Sequence, residues 1–167
     1  MKKISVAAIF LLLALLCGCT GAKTKTTPAV SGIHFTAEIT LCGEYSEYDA
    51  EIKDDMSAVF GIISPSELEG LSFEFSGTDV TEKYNGLEYK TAVSEASHSP
   101  APQRLYGILR DIKLKELSAA ANGDDLIVTG KNEGTEYSLV IGATGLPISL
   151  ETDDGELKVY FKKVRIL

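Results

Sequence analysis

From Ile33 onward the chain counts in twos. Ile33, Phe35, Ala37, Ile39 and Leu41 alternate with His34, Thr36, Glu38, Thr40 and Cys42, and successive side chains of a strand point to opposite faces. One face of this segment is bound for a core and the other for water. After a turn at Gly43-Glu44 the period continues over 45–53, with Tyr48, Ala50 and Ile52 on one side and Glu47, Asp49 and Glu51 on the other. A third strand is expected over 56–63, ended by Ser64-Pro65. A single helical turn over 66–70 stops at Gly70, and a short strand follows in which Leu71, Phe73 and Phe75 alternate with Ser72 and Glu74. Asn85-Gly86 is the strongest short hairpin signal in the chain.

The period then changes once. Pro100 and Pro102 open "PAPQRLYGILRDIKLKEL", in which Leu105, Ile108, Leu109 and Ile112 fall at i, i+3, i+4 and i+7. Proline fits a first helical turn, and this spacing makes one apolar stripe. Strands return over 125–131, 135–141, 147–151 and 157–166, separated by "NEGT", "ATGLP" and "TDDGE". Turns at this spacing mark an antiparallel meander. The expected class is α+β and mostly β: about eight to ten strands, with one main helix packed on one face of the sheet.

The N-terminus carries a different kind of information. Lys2 and Lys3 precede a run from Ile4 to Leu16 that is apolar except for Ser5. At about 13 residues it is shorter than the roughly 20 needed to cross a bilayer, and its charged start marks an export signal. The next residues, Leu16-Cys17-Gly18-Cys19, resemble the lipobox of bacterial lipoproteins. That resemblance implies cleavage between Gly18 and Cys19 and a diacylglycerol thioether on Cys19, the expected lipid attachment site, with Cys17 lost in the discarded signal. Acyl chains in pairs anchor stably where one binds marginally. "TGAKTKTTPAVS" has no periodicity and reads as a linker with a root-mean-square reach of roughly 20 Å. The expected division is a signal over 1–18, a lipidated tether over 19–31 and one domain over 32–167. The domain would sit on the outer face of the cytoplasmic membrane or, in a host with two membranes, in the periplasm or on the outer membrane.

Charge narrows the partners. The chain has 16 basic and 24 acidic residues; without Lys2 and Lys3 the balance is 14 against 24, a net −10. Such an excess argues against nucleic-acid binding, which draws on Lys and Arg to neutralise phosphates. The excess is concentrated in residues 32–100, with 14 acidic side chains against Lys53, Lys83 and Lys90, whereas residues 101–167 have 10 against 9.

A catalytic set is missing from the sequence. His34 and His98 are the only histidines and stand without partners at fixed spacing; both read as solvent-exposed bystanders. No nucleophile elbow, phosphate-binding glycine loop or His-Glu-x-x-His occurs. Tetrahedral zinc wants four ligands, and after Cys19 is alkylated only Cys42 and two distant histidines remain. No metal and no cofactor are expected, nor an enzyme, and Cys42 reads as a strand-end thiol without a neighbouring base.

The succession "HFTAEITL", "YDAEI", "VFGIISPSELEGLSFEF", "YNGLEY", "PQRLYGILRDI", "EYSLVIGATGLPISLE" and "LKVYFKKVRI" resembles the LolA/LolB-like lipoprotein carrier superfamily in its membrane-anchored form. The resemblance implies a curved antiparallel sheet forming a half-open barrel, with the helix on its concave face and an acyl chain or lipidated polypeptide held in an apolar cavity. Phe35, Ile39, Phe73, Phe75, Leu105, Leu109, Leu139 and Ile141 are the candidate lining. The other reading is an envelope protein-interaction or stress-sensing module whose sheet is fully packed.

Overall fold

Tight turns with both residues in the left-handed region set several strand boundaries. The computed structural model describes residues 28–93, 100–115 and 117–167. Its strands are β1 Ile33–Leu41, β2 Glu44–Ile52, β3 Ala58–Ser64, β4 Ser72–Ser76, β5 Asp79–Tyr84 and β6 Leu87–Ala92. Helix α1 spans Ala101–Leu114, and β7 Ser118–Asn122, β8 Asp125–Asn132, β9 Thr135–Ile141, β10 Pro147–Thr152 and β11 Leu157–Ile166 complete the chain. Asn85 and Gly86 have φ of 51° and 80°, the primed-turn geometry whose twist matches the flanking strands. Cys42-Gly43 and Glu133-Gly134 turn the same way, at 52° and 87° and at 49° and 96°. The first turn therefore lies one residue earlier than the sequence suggests, and Glu44 pairs with Leu41. Met56, expected inside the third strand, sits instead at φ 65° in the turn before β3.

All neighbours in the sheet are antiparallel, in the order β6-β5-β4-β3-β2-β1-β11-β10-β9-β8-β7. The first and last strands lie side by side at the centre, with Ala37 opposite Phe161 and Ile39 opposite Val159. Helix α1 connects one edge, β6, to the other, β7. Register shifts interrupt the β1–β11, β2–β3 and β9–β10 ladders, and such bulges bend a sheet and increase its twist. The result is a curved sheet of eleven strands that does not close into a barrel, with one helix against its inner face. The expected fold class holds.

That inner face carries the core. Phe35, Ala37 and Ile39 of β1, Phe60 of β3, Phe73 and Phe75 of β4, Leu139 and Ile141 of β9, and Val159 and Phe161 of β11 are buried with the helix stripe Leu105, Ile108, Leu109 and Ile112. Each large apolar side chain removed from water contributes about 1.5–3 kcal/mol. Tyr106, outside the predicted stripe, is also fully buried. Its ring stacks on Phe75 at 4.2 Å, and its hydroxyl donates to the Met56 carbonyl at 3.0 Å.

The strand missing from the sequence reading is β7, "SAAAN". Alanine has little strand preference of its own; pairing with β8, Ser118 opposite Thr129 and Ala120 opposite Ile127, defines it. At the other end of the chain, Pro28 and Val30 are buried, and the Ala29 N–H donates to the Gly145 carbonyl at 3.3 Å. The packed unit therefore takes in residues from 28 onward. The expected signal, Cys19 and His98 lie outside the described residues.

Candidate functional site

Three turns and the first half of α1 surround an open cleft of about 730 Å³. The β1–β2 turn gives Leu41, Cys42 and Glu44; the β8–β9 turn gives Asn132, Glu133 and Thr135. Thr152 and Glu156 come from the β10–β11 connection, and Gln103, Arg104, Gly107 and Ile108 from the helix. Val93, just past β6, closes the remaining side. A shallower hollow of about 300 Å³ shares Val93, Gly107, Asn132 and Glu133 with it and extends to Arg110, Asp111 and Lys115. The larger of the two is the trough; the smaller adjoins it along the helix.

The helix offers the trough its small and polar side. One helical turn at 3.6 residues brings Arg104, Gly107 and Ile108 onto neighbouring positions, and Gly107 leaves room beside Asn132. Arg104 Nη1 lies 2.9 Å from Glu156 Oε2, and Nη2 lies 4.0 Å from Asp154 Oδ2. Asp154 is held below the usual carboxylate range, first by the Thr152 hydroxyl at 2.6 Å and then by the Glu156 backbone N–H at 2.9 Å, with Arg104 adding to both. The buried Gln103 amide donates to the Val93 carbonyl at 3.0 Å and ties the helix to the end of β6. Asn132 Nδ2 donates to Asp111 Oδ2 at 2.7 Å, and Lys115 pairs with the same oxygen at 2.7 Å.

Leu41, Val93 and Ile108 supply the apolar part of the lining. Its charged members are Glu44, Glu133 and Glu156 against Arg104, so the mouth is acidic, and its guanidinium is already paired. Such a lining suits an apolar group bearing an uncharged or cationic head and disfavours an anionic one.

Phe35, Ile39, Phe73, Phe75, Leu105, Leu109, Leu139 and Ile141 are all brought together, 0–3% exposed, in the cluster between sheet and helix. None of them lines this trough. Ile108 links the two, being 3% exposed and part of both the buried stripe and the cleft wall. Sequence reasoning missed the turn residues because periodicity reports which face is buried, not which turns converge. Repeated X-Gly turns, Cys42-Gly43 and Glu133-Gly134, were the available signal.

Cys42 is exposed, and its N–H donates to the Glu156 carbonyl at 2.8 Å. It belongs to the turn, not to the wet face of the strand as the alternation suggested. His34 corrects a second expectation: its side chain is 20% exposed, with Nε2 3.2 Å from Asp49 Oδ2 and Nδ1 buried without a partner. Among the described residues no group of three or more His, Cys, Asp or Glu is placed to hold a metal ion. None of the described helices is long and apolar enough to cross a membrane.

No protein-family model and no curated protein matches the chain. Among solved structures the fold is similar to an uncharacterized conserved protein from Thermus thermophilus, at 9% identity and a TM-score of 0.50, over 80% of this chain and 78% of that one. A LolA superfamily protein from Nitrosomonas europaea aligns at 10% identity and a TM-score of 0.44, over 81% of this chain and 86% of that one. A putative outer membrane lipoprotein-sorting protein domain from Vibrio parahaemolyticus aligns at 9% identity and 0.44, over 80% and 84%.

Proposed function

We propose that the chain is an exported protein held at a membrane by a diacylglycerol group on Cys19, and that it binds an acyl chain or a lipidated partner without chemical turnover. The observation that carries the binding reading is the trough. It is the place where the packed interior, through Ile108, meets an opening large enough for a ligand and walled by mixed apolar and polar side chains. Its three carboxylates favour a ligand whose head is not anionic. The attachment reading rests on Leu16-Cys17-Gly18-Cys19 after a short apolar run.

Native mass spectrometry of residues 28–167, purified from the host, tests the binding. Co-purifying lipid, or 1:1 binding of an acyl probe with an uncharged head such as a fluorescent monoacylglycerol, is the expected result. A clean unliganded mass together with no probe binding removes it.

One observation favours a second reading. The eight residues expected to line a cavity fill the interior at 0–3% exposure, as a protein-interaction module with a packed sheet requires. In that case the trough receives a protein segment, and the same experiment returns no lipid while a cross-linker placed on Cys42 captures one defined polypeptide.

A further inference from the structure

The chain enters the domain at the opposite end of the central strands from the trough. Ala29, Ser31 and Gly32 line a hollow of about 290 Å³ with Lys53, Asp54, Ile166 and Leu167. Lys113 Nζ donates to Ser31 Oγ at 2.9 Å, and the Leu167 N–H donates to the Gly32 carbonyl at 2.9 Å. From this end β1 runs Ile33–Leu41, nine residues, to the Cys42 turn at the trough. At 3.2–3.4 Å per residue the two ends are about 30 Å apart.

We infer that, in the lipidated protein, the surface around residues 29–32 faces the bilayer and the trough opens away from it, toward the aqueous side. The inference rests on lipid attachment at Cys19. Nine backbone steps separate Cys19 from Pro28, and even a fully extended chain covers only about 3.3–3.6 Å per step. Turning the trough onto the same bilayer requires this whole stretch to be drawn taut along the length of the domain, in essentially one conformation. Standing on the entry end asks nothing of it.

The two surfaces point the same way. Around the entry stand Lys53, Lys113 and Arg165, with Ile166 at 72% and Leu167 at 57% exposure; Asp54 and Asp55 share the β2–β3 turn there. Exposed apolar side chains flanked by Lys and Arg suit an interfacial position, and the two aspartates offset part of the attraction to anionic headgroups. The trough rim instead carries Glu44, Glu133 and Glu156, which anionic headgroups repel. A ligand for the trough therefore arrives through water and is not drawn directly from the leaflet that holds the protein.

The mature lipidated protein, in vesicles of phosphatidylethanolamine and phosphatidylglycerol containing headgroup-nitroxide lipid, tests this. An environment-sensitive fluorophore goes either on Cys42, the one thiol left free, or on residue 166 in an Ile166→Cys, Cys42→Asn variant, with Leu167→Cys as the second position. Quenching several-fold stronger at 166 or 167 than at Cys42 is expected. Equal quenching, or stronger quenching at Cys42, overturns the orientation; no quenching at either overturns contact of the entry surface with the bilayer. Intact mass separates the two layers of the argument: absence of the diacylglycerol adduct on Cys19 overturns the attachment itself, and the orientation falls with it.

Discussion

The two wings of the sheet grip the helix differently. From Phe35 on central β1 through the wing β2–β6, aromatic rings run without a break to the helix: Phe35 to Phe60 at 6.1 Å, Phe60 to Phe75 at 5.5 Å, Phe75 to Tyr106 at 4.2 Å. Tyr106 also donates its hydroxyl proton to the Met56 carbonyl. In the wing β7–β10 the contacts are aliphatic, through Val128, Leu139, Ile141 and Leu150, and the one buried ring, Tyr137, has a hydroxyl with no partner. Its outermost strand, β7, is mostly exposed alanine. One wing is satisfied polar and stacked aromatic packing; the other tolerates a loose polar atom, and its β8–β9 turn faces the β1–β2 turn and Val93 across the trough. A binding site draws on the less completely packed side of a fold because that side gives way at lower cost.

Removing Tyr106 breaks the first wing and carries the largest expected effect. Tyr106→Ala deletes a fully buried ring and its stack on Phe75, and urea unfolding should report a loss of about 3–5 kcal/mol. Tyr106→Phe keeps the ring and strands the Met56 carbonyl, for about 1–3 kcal/mol. A Tyr106→Ala variant within 1 kcal/mol of the wild type on the same scale ends the claim that this wing holds the helix.

Tyr137 sharpens the contrast through pH. Burial, with the nearby Asp111 charge secondary, pushes its hydroxyl up to about 12. The folded state thus keeps a proton that the unfolded chain releases near 10, so stability is fully present below pH 10 and falls between about 10 and 12, by about 2–3 kcal/mol. Burial raises Tyr48 and Tyr106 in the same direction. Tyr137→Phe removes an unpaired buried polar atom, so at neutral pH it should be neutral or stabilising by up to about 1 kcal/mol, unlike Tyr106→Phe. Above pH 10 its stability curve should be flatter than the wild type's. A parallel pair of curves would show that the Tyr137 hydroxyl is solvated.

Gly130 is the counterpart on β8. A methyl group there would overlap Oη and Cζ of Tyr137 and crowd Leu117, so Gly130→Ala should cost about 1–3 kcal/mol. Tyr137→Leu in the same chain should recover part of that loss in a double-mutant cycle. Additive losses would separate the two residues.

Period made most of the strands and helix α1 legible, because each of those buries one face, whereas β5 and β6, the latter without a buried residue, were legible from the Asn85-Gly86 turn. Period put Phe35, Ile39, Phe73 and Phe75 on apolar strand faces and Leu105 and Leu109 on the helix stripe, and the resemblance added Leu139 and Ile141 to the candidate lining; all eight are buried in the core. What it left out is long-range. Strand β7 exists through its pairing with β8, and Tyr106 finds Phe75 across about thirty residues of chain. The trough is assembled from turns far apart in sequence, where period carries no signal. Cys42 was legible as a residue but misplaced by one position, since a Cys-Gly turn lacks the Asn-Gly signature.

That misplacement sets the smallest effect. Cys42, Asn85 and Glu133 all hold positive φ before a glycine, yet only asparagine tolerates the left-handed region at little cost, its short side chain bonding locally. Cys42→Asn and Glu133→Asn should therefore each raise stability by about 0.5 kcal/mol, while Asn85→Ala should lower it by a similar amount. Glu133→Asn also removes one of the three carboxylates lining the trough. If the acidic mouth selects against anionic heads, that variant should bind a fatty-acid probe more tightly without changing the trough's apolar wall. Equal affinity would mean that the head lies clear of the β8–β9 turn, leaving Glu44 and Glu156 to set the charge preference.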